Sequence, residues 1–374
     1  MTRREVRRST GQPFTIMPMT PMTTRPIDAA AARTQSAIRT GRRWVIWRVY
    51  YLTVSNLERD PAEQLLTEPR TGATILEPRD VPLGGPRSMS VRRTLPQRAR
   101  SLIGPWCFVD HYGPDPVDGS GAMNVPPHPH TGLQTVSWLF DGEIEHRDSA
   151  GNHAMVRPGE LNLMTAGRGI QHSEVSTAAT TVLHGAQLWV ALPNADRDHA
   201  PFFEHYVPPA VPFGDATLRV FLGSLGGSVS PATAFSAIVG AQVELPAGAG
   251  IDLPVDPSFE HGVLLDRGAV AVDGLDLPLS HLSFRDTGAA SIRLEAGPEG
   301  ARLLLIGGAP FGESIVMWWN FIGRSHDDIV KYRAEWQADV IAAGTPSGPF
   351  GIIEEATFAL PAPVLPNVRL TPRR

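Results

Sequence analysis

Two short segments carry the residue types of metal chemistry. His128-Pro129-His130 sets two imidazoles two residues apart, and 42 residues after His130 comes His172-Ser173-Glu174, an imidazole and a carboxylate at the same spacing. On an extended strand, residues two apart point to one face. Each segment is therefore a pincer, and the two brought together make a four-ligand pocket of His128, His130, His172 and Glu174. A single His-x-His on a strand is more often a surface or packing pair; its partner His-x-Glu is what favours metal. Three nitrogen donors and one carboxylate suit Fe(II), Mn, Ni, Cu or Zn and argue against Ca or Mg, which prefer oxygen. A six-coordinate ion would keep two positions for water, oxygen or substrate.

These residues need strands to hold them. Short apolar runs separated by turn residues extend from about Ser88 to Pro193 and again from about Val220 to Pro310, which predicts two all-β sandwiches or barrels. Continuing the even parity of the first pincer puts Val136, Trp138 and Phe140 on the ligands' face and Thr135 and Ser137 on the other. Asp141-Gly142, between Thr135–Phe140 and Glu143–His146, has the signature of a tight hairpin. "LFDGEIEHRD" (139–148) and "LLDRGAVAVDG" (264–274) share a strand, turn, strand shape, in keeping with a duplicated β-domain. Gly167-Arg168-Gly169 lacks the helix context of a phosphate loop and reads as a backbone turn delivering His172. The second region holds His261 and His281 without a His-x-His or His-x-Glu pair, so it is expected to be metal-free, with Glu260-His261 in a solvated loop.

Near the end, Ser325 before Asp327 and Asp328 looks like a helix N-cap, with Ile329, Tyr332, Trp336 and Val340 at helical spacing and Gly344 and Pro346 as stops. The Pro-rich tail beyond, with Ile352-Ile353 and Phe358–Leu360, is expected to wrap over a barrel.

Composition narrows the function classes. The 374 residues are 42% hydrophobic, enough for sizeable cores, and Gly 36 with Pro 35 suits turn-rich globular structure. One cysteine, Cys107, excludes an intramolecular disulfide and any multi-cysteine metal site; within its apolar run it reads as a buried small hydrophobe. The first sixty residues hold eleven Arg against four acids, leaving −12 for the rest, and residues 1–65 are expected to form a basic, disordered arm. The negative remainder disfavours direct contact with nucleic acid. No run approaches the roughly 18 to 20 apolar residues of a membrane helix, and Pro18 and Pro21 break the one stretch that could act as a secretory signal. No membrane association and a cytoplasmic location are expected.

"RSLIGPWCFVDHYGP" (100–114), "PPHPHTGLQTVSWLFDGEIEHRDSAGN" (126–152), "RPGELNLMTAGRGIQHSE" (157–174), "LHGAQLWVALP" (183–193) and "GESIVMWWNFIGRSHDDI" (312–329) resemble the pirins, over about residues 75 to 370. The resemblance implies a bicupin: a metal-binding barrel over 75–205, a second, metal-free barrel over 215–312, and a helix and tail over 313–374. It implies one divalent transition metal, Fe(II) before others, on His128, His130, His172 and Glu174, and sets His111 on the pocket side as a candidate substrate contact, with turn stabilisation as its other reading. Many pirins read His-Arg-Gly-Phe-Glu-Thr where this chain has His130-Thr131-Gly132-Leu133-Gln134-Thr135, a loss of two charges near the site. Two function classes follow. One is a quercetin 2,3-dioxygenase-like enzyme that acts with O2 on a flavonol or related enolic substrate, Glu174 serving as proton acceptor. The other is an iron-dependent, redox-sensitive regulator that binds a transcription factor or metabolic enzyme.

Overall fold

Strand-forming runs of this kind leave apolar faces that only another sheet can cover, and the computed structural model shows how they pair. It describes residues 35–40, 43–48, 73–83, 89–117, 122–342, 348–354 and 358–373. The chain divides into two compact units, Met1–Tyr51 and Leu52–Arg374. In the first unit, Gln35–Thr40 and Arg43–Arg48 form an antiparallel pair, with Gln35 opposite Arg48. Within the basic arm expected to be disordered over 1–65, these two strands are the described part, and its other positions lie outside the described residues.

The second unit is mostly β and built in two halves. A four-stranded sheet runs in the order His153–Val156, Ile144–Asp148, Ile170–Ser176, Asn124–His130. A seven-stranded sheet of the same half runs Phe202–Tyr206, Leu161–Thr165, Leu133–Asp141, Val182–Ala191, Trp106–Pro116, Ser90–Leu95, Arg79–Pro82. The other half is a ten-stranded sheet centred on Glu260–Val272 and Ser291–Gly308. Thr74–Leu76 adds to that far sheet by pairing with Leu282–Arg285, so the chain crosses between halves before it builds the first one.

Packing between the halves reverses one expectation. Val136 and Trp138 belong to a core shared with Phe221, Leu264 and Leu304 of the second half, and Trp138 Nε1 donates to Gln242 Oε1 at 2.8 Å. They do not share the ligands' face, whereas Ser137 does. Parity changes because the strand breaks after His130: Gly132 takes φ +69°, and a Cβ there would lie 2.4 Å from the Ile322 oxygen. Asp141-Gly142 also differs from expectation. Leu133–Asp141 and Ile144–Asp148 lie in different sheets, so the turn, with Gly142 at φ +84°, passes the chain from one face of the barrel to the other and closes no hairpin. Likewise Glu260–Val272 is one strand with bulges, and its turn is at Asp273-Gly274.

The helix His326–Trp336 has the expected capping box between Ser325 and Asp328 and buries Ile329, Tyr332 and Trp336. It continues as a π-helix over Gln337–Ala342; Gly344 and Pro346 lie outside the described residues. The tail does cover the first half: Phe350, Leu360 and Ala362 join its core, and Trp336 Nε1 donates to the Leu360 carbonyl at 2.9 Å, while Ile352 and Phe358 stay exposed.

In the interior of the first half, Arg93 and Asp110 form a buried two-bond ion pair (2.6 and 2.7 Å), with the guanidinium 4.2 Å over the Phe108 ring. Removing one partner strands a buried charge, which costs about 3–5 kcal/mol, whereas a hydrophobic replacement of both is close to neutral. Arg93→Ala is expected to lose that much in denaturant unfolding and Arg93→Met with Asp110→Leu far less; equal losses would refute the stranded-charge account.

Candidate metal centre

The strand Asn124–His130 supplies His128 and His130, and its neighbour Ile170–Ser176 places His172 opposite His128. A bulge between His172 and Glu174 shifts the register, so Glu174 faces Val125 on one side and His146 of Ile144–Asp148 on the other. The turn into this strand is built by glycines as expected: Gly167 has φ +52°, and a Cβ there would lie 1.9 Å from the His199 oxygen.

His172 links the two pincers. Ligand atoms of His128, His130 and His172 lie within 4.8 Å of one another, and so do those of His146, His172 and Glu174, with His172 common to both groups. All five residues are buried, none more than 6% exposed. The backbone fixes two tautomers: His128 Nδ1 donates to the Pro126 carbonyl at 2.9 Å and His130 Nδ1 to the Asn320 carbonyl at 3.2 Å. Each Nε2 is thus left as a lone-pair donor. His172 Nε2 is buried and has no hydrogen-bond partner, while its Nδ1 lies 3.4 Å from His146 Nδ1. Burial lowers the pKa of all three rings: His128 falls to about 4 despite its bond to Pro126, and His130 and His172 fall well below the ordinary value, each further lowered by its histidine neighbours. Neutral, buried imidazoles with an orphaned nitrogen are the state a metal ligand requires.

The opposite sheet closes the site. Ser137 Oγ is 3.0 Å from both Glu174 Oε1 and Gln187 Oε1. Its one proton goes to the carboxylate, and the other contact is satisfied when the Gln187 amide turns its NH2 group inward. Burial raises the Glu174 pKa, with the charge of His146 and the Ser137 bond opposing. Trp189 stacks on Phe108 (centroids 4.0 Å apart) and presents its ring to His130 at 5.0 Å. The carbonyl that holds His130 comes from the C-terminal hairpin Val316–Gly323, whose tip residue Trp319 is buried at φ +54°, a strained conformation that costs of order 1–3 kcal/mol.

Several residues fall elsewhere than the sequence suggested. His111 is not at this site: its ring nitrogens contact Ser280 Oγ (3.1 Å) and Asp266 Oδ1 (2.8 Å) across the junction with the second half. Gln134 also points away, with its amide donating to Thr165 Oγ1 and the Thr233 carbonyl, so its lost charge does not face the ligands. Glu260-His261 is no solvated loop. It begins a central strand, with His261 buried and Glu260 Oε2 accepting from the Gly104 amide. Cys107 is buried as expected, and burial pushes its thiol pKa up. His146 escaped sequence analysis, although His146-Arg147-Asp148 repeats the i, i+2 spacing of the two pincers.

Comparison with known proteins agrees with this architecture. The Pirin model matches residues 88–190 and the Pirin C-terminal cupin domain residues 240–341. A Pseudomonas aeruginosa protein named "Putative quercetin 2,3-dioxygenase" is 42% identical over 258 residues, 68% of this chain and 80% of the relative. A pirin-like protein of Caulobacter vibrioides is 35% identical over 260 residues, 67% of this chain and 89% of its own. The crystal structure of quercetin 2,3-dioxygenase from Acinetobacter baumannii superposes with a TM-score of 0.74 at 37% identity, covering 80% of this chain and 97% of that one. With both of its barrels matched and two such relatives covering two thirds of its length, the chain belongs to the pirin family.

Proposed function

We propose that this pirin is a mononuclear metal enzyme, loaded with Fe(II), that uses O2 to cleave flavonol-like or related enolic substrates. The observation that carries the reading is the meeting of His128, His130 and His172 as neutral, buried rings beside Glu174. His128, His130, His172 and Glu174 would hold the ion. When bound, such a metal supplies a Lewis acid that lowers the pKa of an enolic hydroxyl, and redox chemistry toward oxygen.

The chain's own residues supply the rest. Ser137 holds Glu174 Oε1, which leaves Oε2 to accept the hydroxyl proton of the substrate. Burial disfavours the charged carboxylate and so strengthens it as a base toward that proton. Trp189, backed by the stacked Phe108 ring, sets an apolar aromatic surface beside His130. Every site residue is buried, which strengthens the electrostatic interactions among them. The tail reaches the first pincer, where Leu360 N donates to the Pro127 carbonyl at 2.8 Å.

The test is anaerobic purification, loading with Fe(II) and addition of quercetin in an oxygen electrode. One O2 consumed and one carbon monoxide released per quercetin is the expected result. Stoichiometric iron with no oxygen uptake would overturn quercetin as the substrate, leave other enolic substrates open, and shift the weight toward a redox-sensitive partner of another protein.

A further inference from the structure

We infer that the junction between the two barrels holds a second site for a divalent transition metal, formed by His111, His184 and Asp266. His111 and His184 come from adjacent strands of the first barrel, and Asp266 from the central strand of the second. One ligand atom from each lies within 4.8 Å of the others, and all three side chains are buried. Two imidazoles and one carboxylate are the donor set of mononuclear Fe(II) and Zn(II) sites that keep positions open for other ligands.

The surroundings are those of a built site. His111 Nε2 is 2.8 Å and His184 Nε2 2.6 Å from the same oxygen, Asp266 Oδ1, so two donors crowd one acceptor. The His184 contact is not an aligned hydrogen bond, and its buried Nε2 has no hydrogen-bond partner. A cation between the three atoms resolves that crowding by taking both nitrogen lone pairs. The proton displaced from His111 then resides on Nδ1, where Ser280 Oγ at 3.1 Å accepts it. Arg302 Nε holds the outer oxygen, Asp266 Oδ2, at 2.5 Å, which fixes the carboxylate and leaves Oδ1 inward. Arg302 Nη2, which can only donate, lies 3.5 Å from His184 Nδ1, so that nitrogen is the acceptor and the proton on Nε2 is the one released to solvent when a cation binds.

A cavity of about 700 Å³ opens onto His184 and Asp266, walled by Phe140, Asp141, Glu299 and Arg302 among others, so ions reach the cluster from solvent. Burial lowers the pKa of His111 against the pull of Asp266, which keeps the ring neutral. Against the effect of burial, close contacts with His111 and His184 hold the Asp266 carboxyl below the ordinary carboxylate range.

The inference does not depend on the metal centre of the first barrel, and the experiment separates them. The full-length protein, stripped of metal, is dialysed against Zn(II) and its zinc counted per chain, beside His184→Gln, His111→Gln and His130→Ala. Glutamine keeps a hydrogen-bonding group at each buried position, and far-UV circular dichroism and a thermal melt confirm folding. Two equivalents in the wild type, one in each cleft variant and one in His130→Ala is the expected pattern. Because His130→Ala leaves the cleft untouched, its retained equivalent stands even if the cleft variants misfold. A wild type with one equivalent that His184→Gln loses and His130→Ala keeps would support the cleft site and overturn the first-barrel centre. Zinc lost entirely in folded His130→Ala, or unchanged in both cleft variants, would overturn the inference and leave the cluster as a polar clasp between barrels.

Discussion

His172→Ala is expected to lose stoichiometric metal from the first barrel, with apparent affinity falling well over 100-fold and oxygen uptake falling to background. The scale follows from coordination chemistry: removing a hydrogen-bond partner of a ligand already costs about 10–100-fold, and deleting the ligand costs more. His172 is the decisive position because both overlapping groups, His128 with His130 and His146 with Glu174, include it. Comparing His130→Ala with His146→Ala then tells the groups apart. If His146 only positions the His172 ring across their 3.4 Å contact, its loss costs about 10–100-fold while His130→Ala abolishes binding. Metal analysis with isothermal titration gives the answer, and wild-type affinity in folded His172→Ala would end the assignment of this cluster as a metal centre. Melting curves guard against misfolding, since the ring is buried against two neighbouring strands.

Glu174→Gln separates holding the metal from moving the proton. The amide keeps the shape of the side chain and can still accept from Ser137 Oγ, now 3.0 Å from the carboxylate, but it is a negligible base. General-base assistance contributes about 10²–10⁴-fold. Turnover of quercetin per bound metal is expected to fall within that range, with three imidazoles still retaining measurable metal. A substrate supplied already deprotonated no longer needs the carboxylate, so the deficit should shrink as the pH is raised through the flavonol hydroxyl's own pKa. Full turnover per metal at neutral pH would remove Glu174 from the proton step. An equal deficit at every pH would assign it to coordination alone.

The local parts of this protein were legible along the chain. Strand-forming runs and turn residues were enough for an all-β chain of two sandwiches or barrels, and the i, i+2 rule was enough to aim His128 with His130 and His172 with Glu174, because side-chain direction along a strand depends only on neighbouring dihedral angles. The cap of the helix at Ser325 is local in the same sense. What failed was everything that depends on which strands meet. One left-handed glycine, Gly132, reset the parity that would have put Trp138 beside the ligands, and that ring instead bonds Gln242 in the other barrel. Asp141-Gly142 has hairpin chemistry, but tertiary packing sends its two strands to different sheets. His146 became a neighbour of Glu174 only through the pairing of Ile144–Asp148 with Ile170–Ser176, and His111 met Asp266, 155 residues away, only through the packing of the barrels. Alternation along a strand is a property of the chain; register, sheet membership and the seam between barrels are settled by burial of apolar faces contributed from distant segments, and so they emerge only once the whole chain has folded.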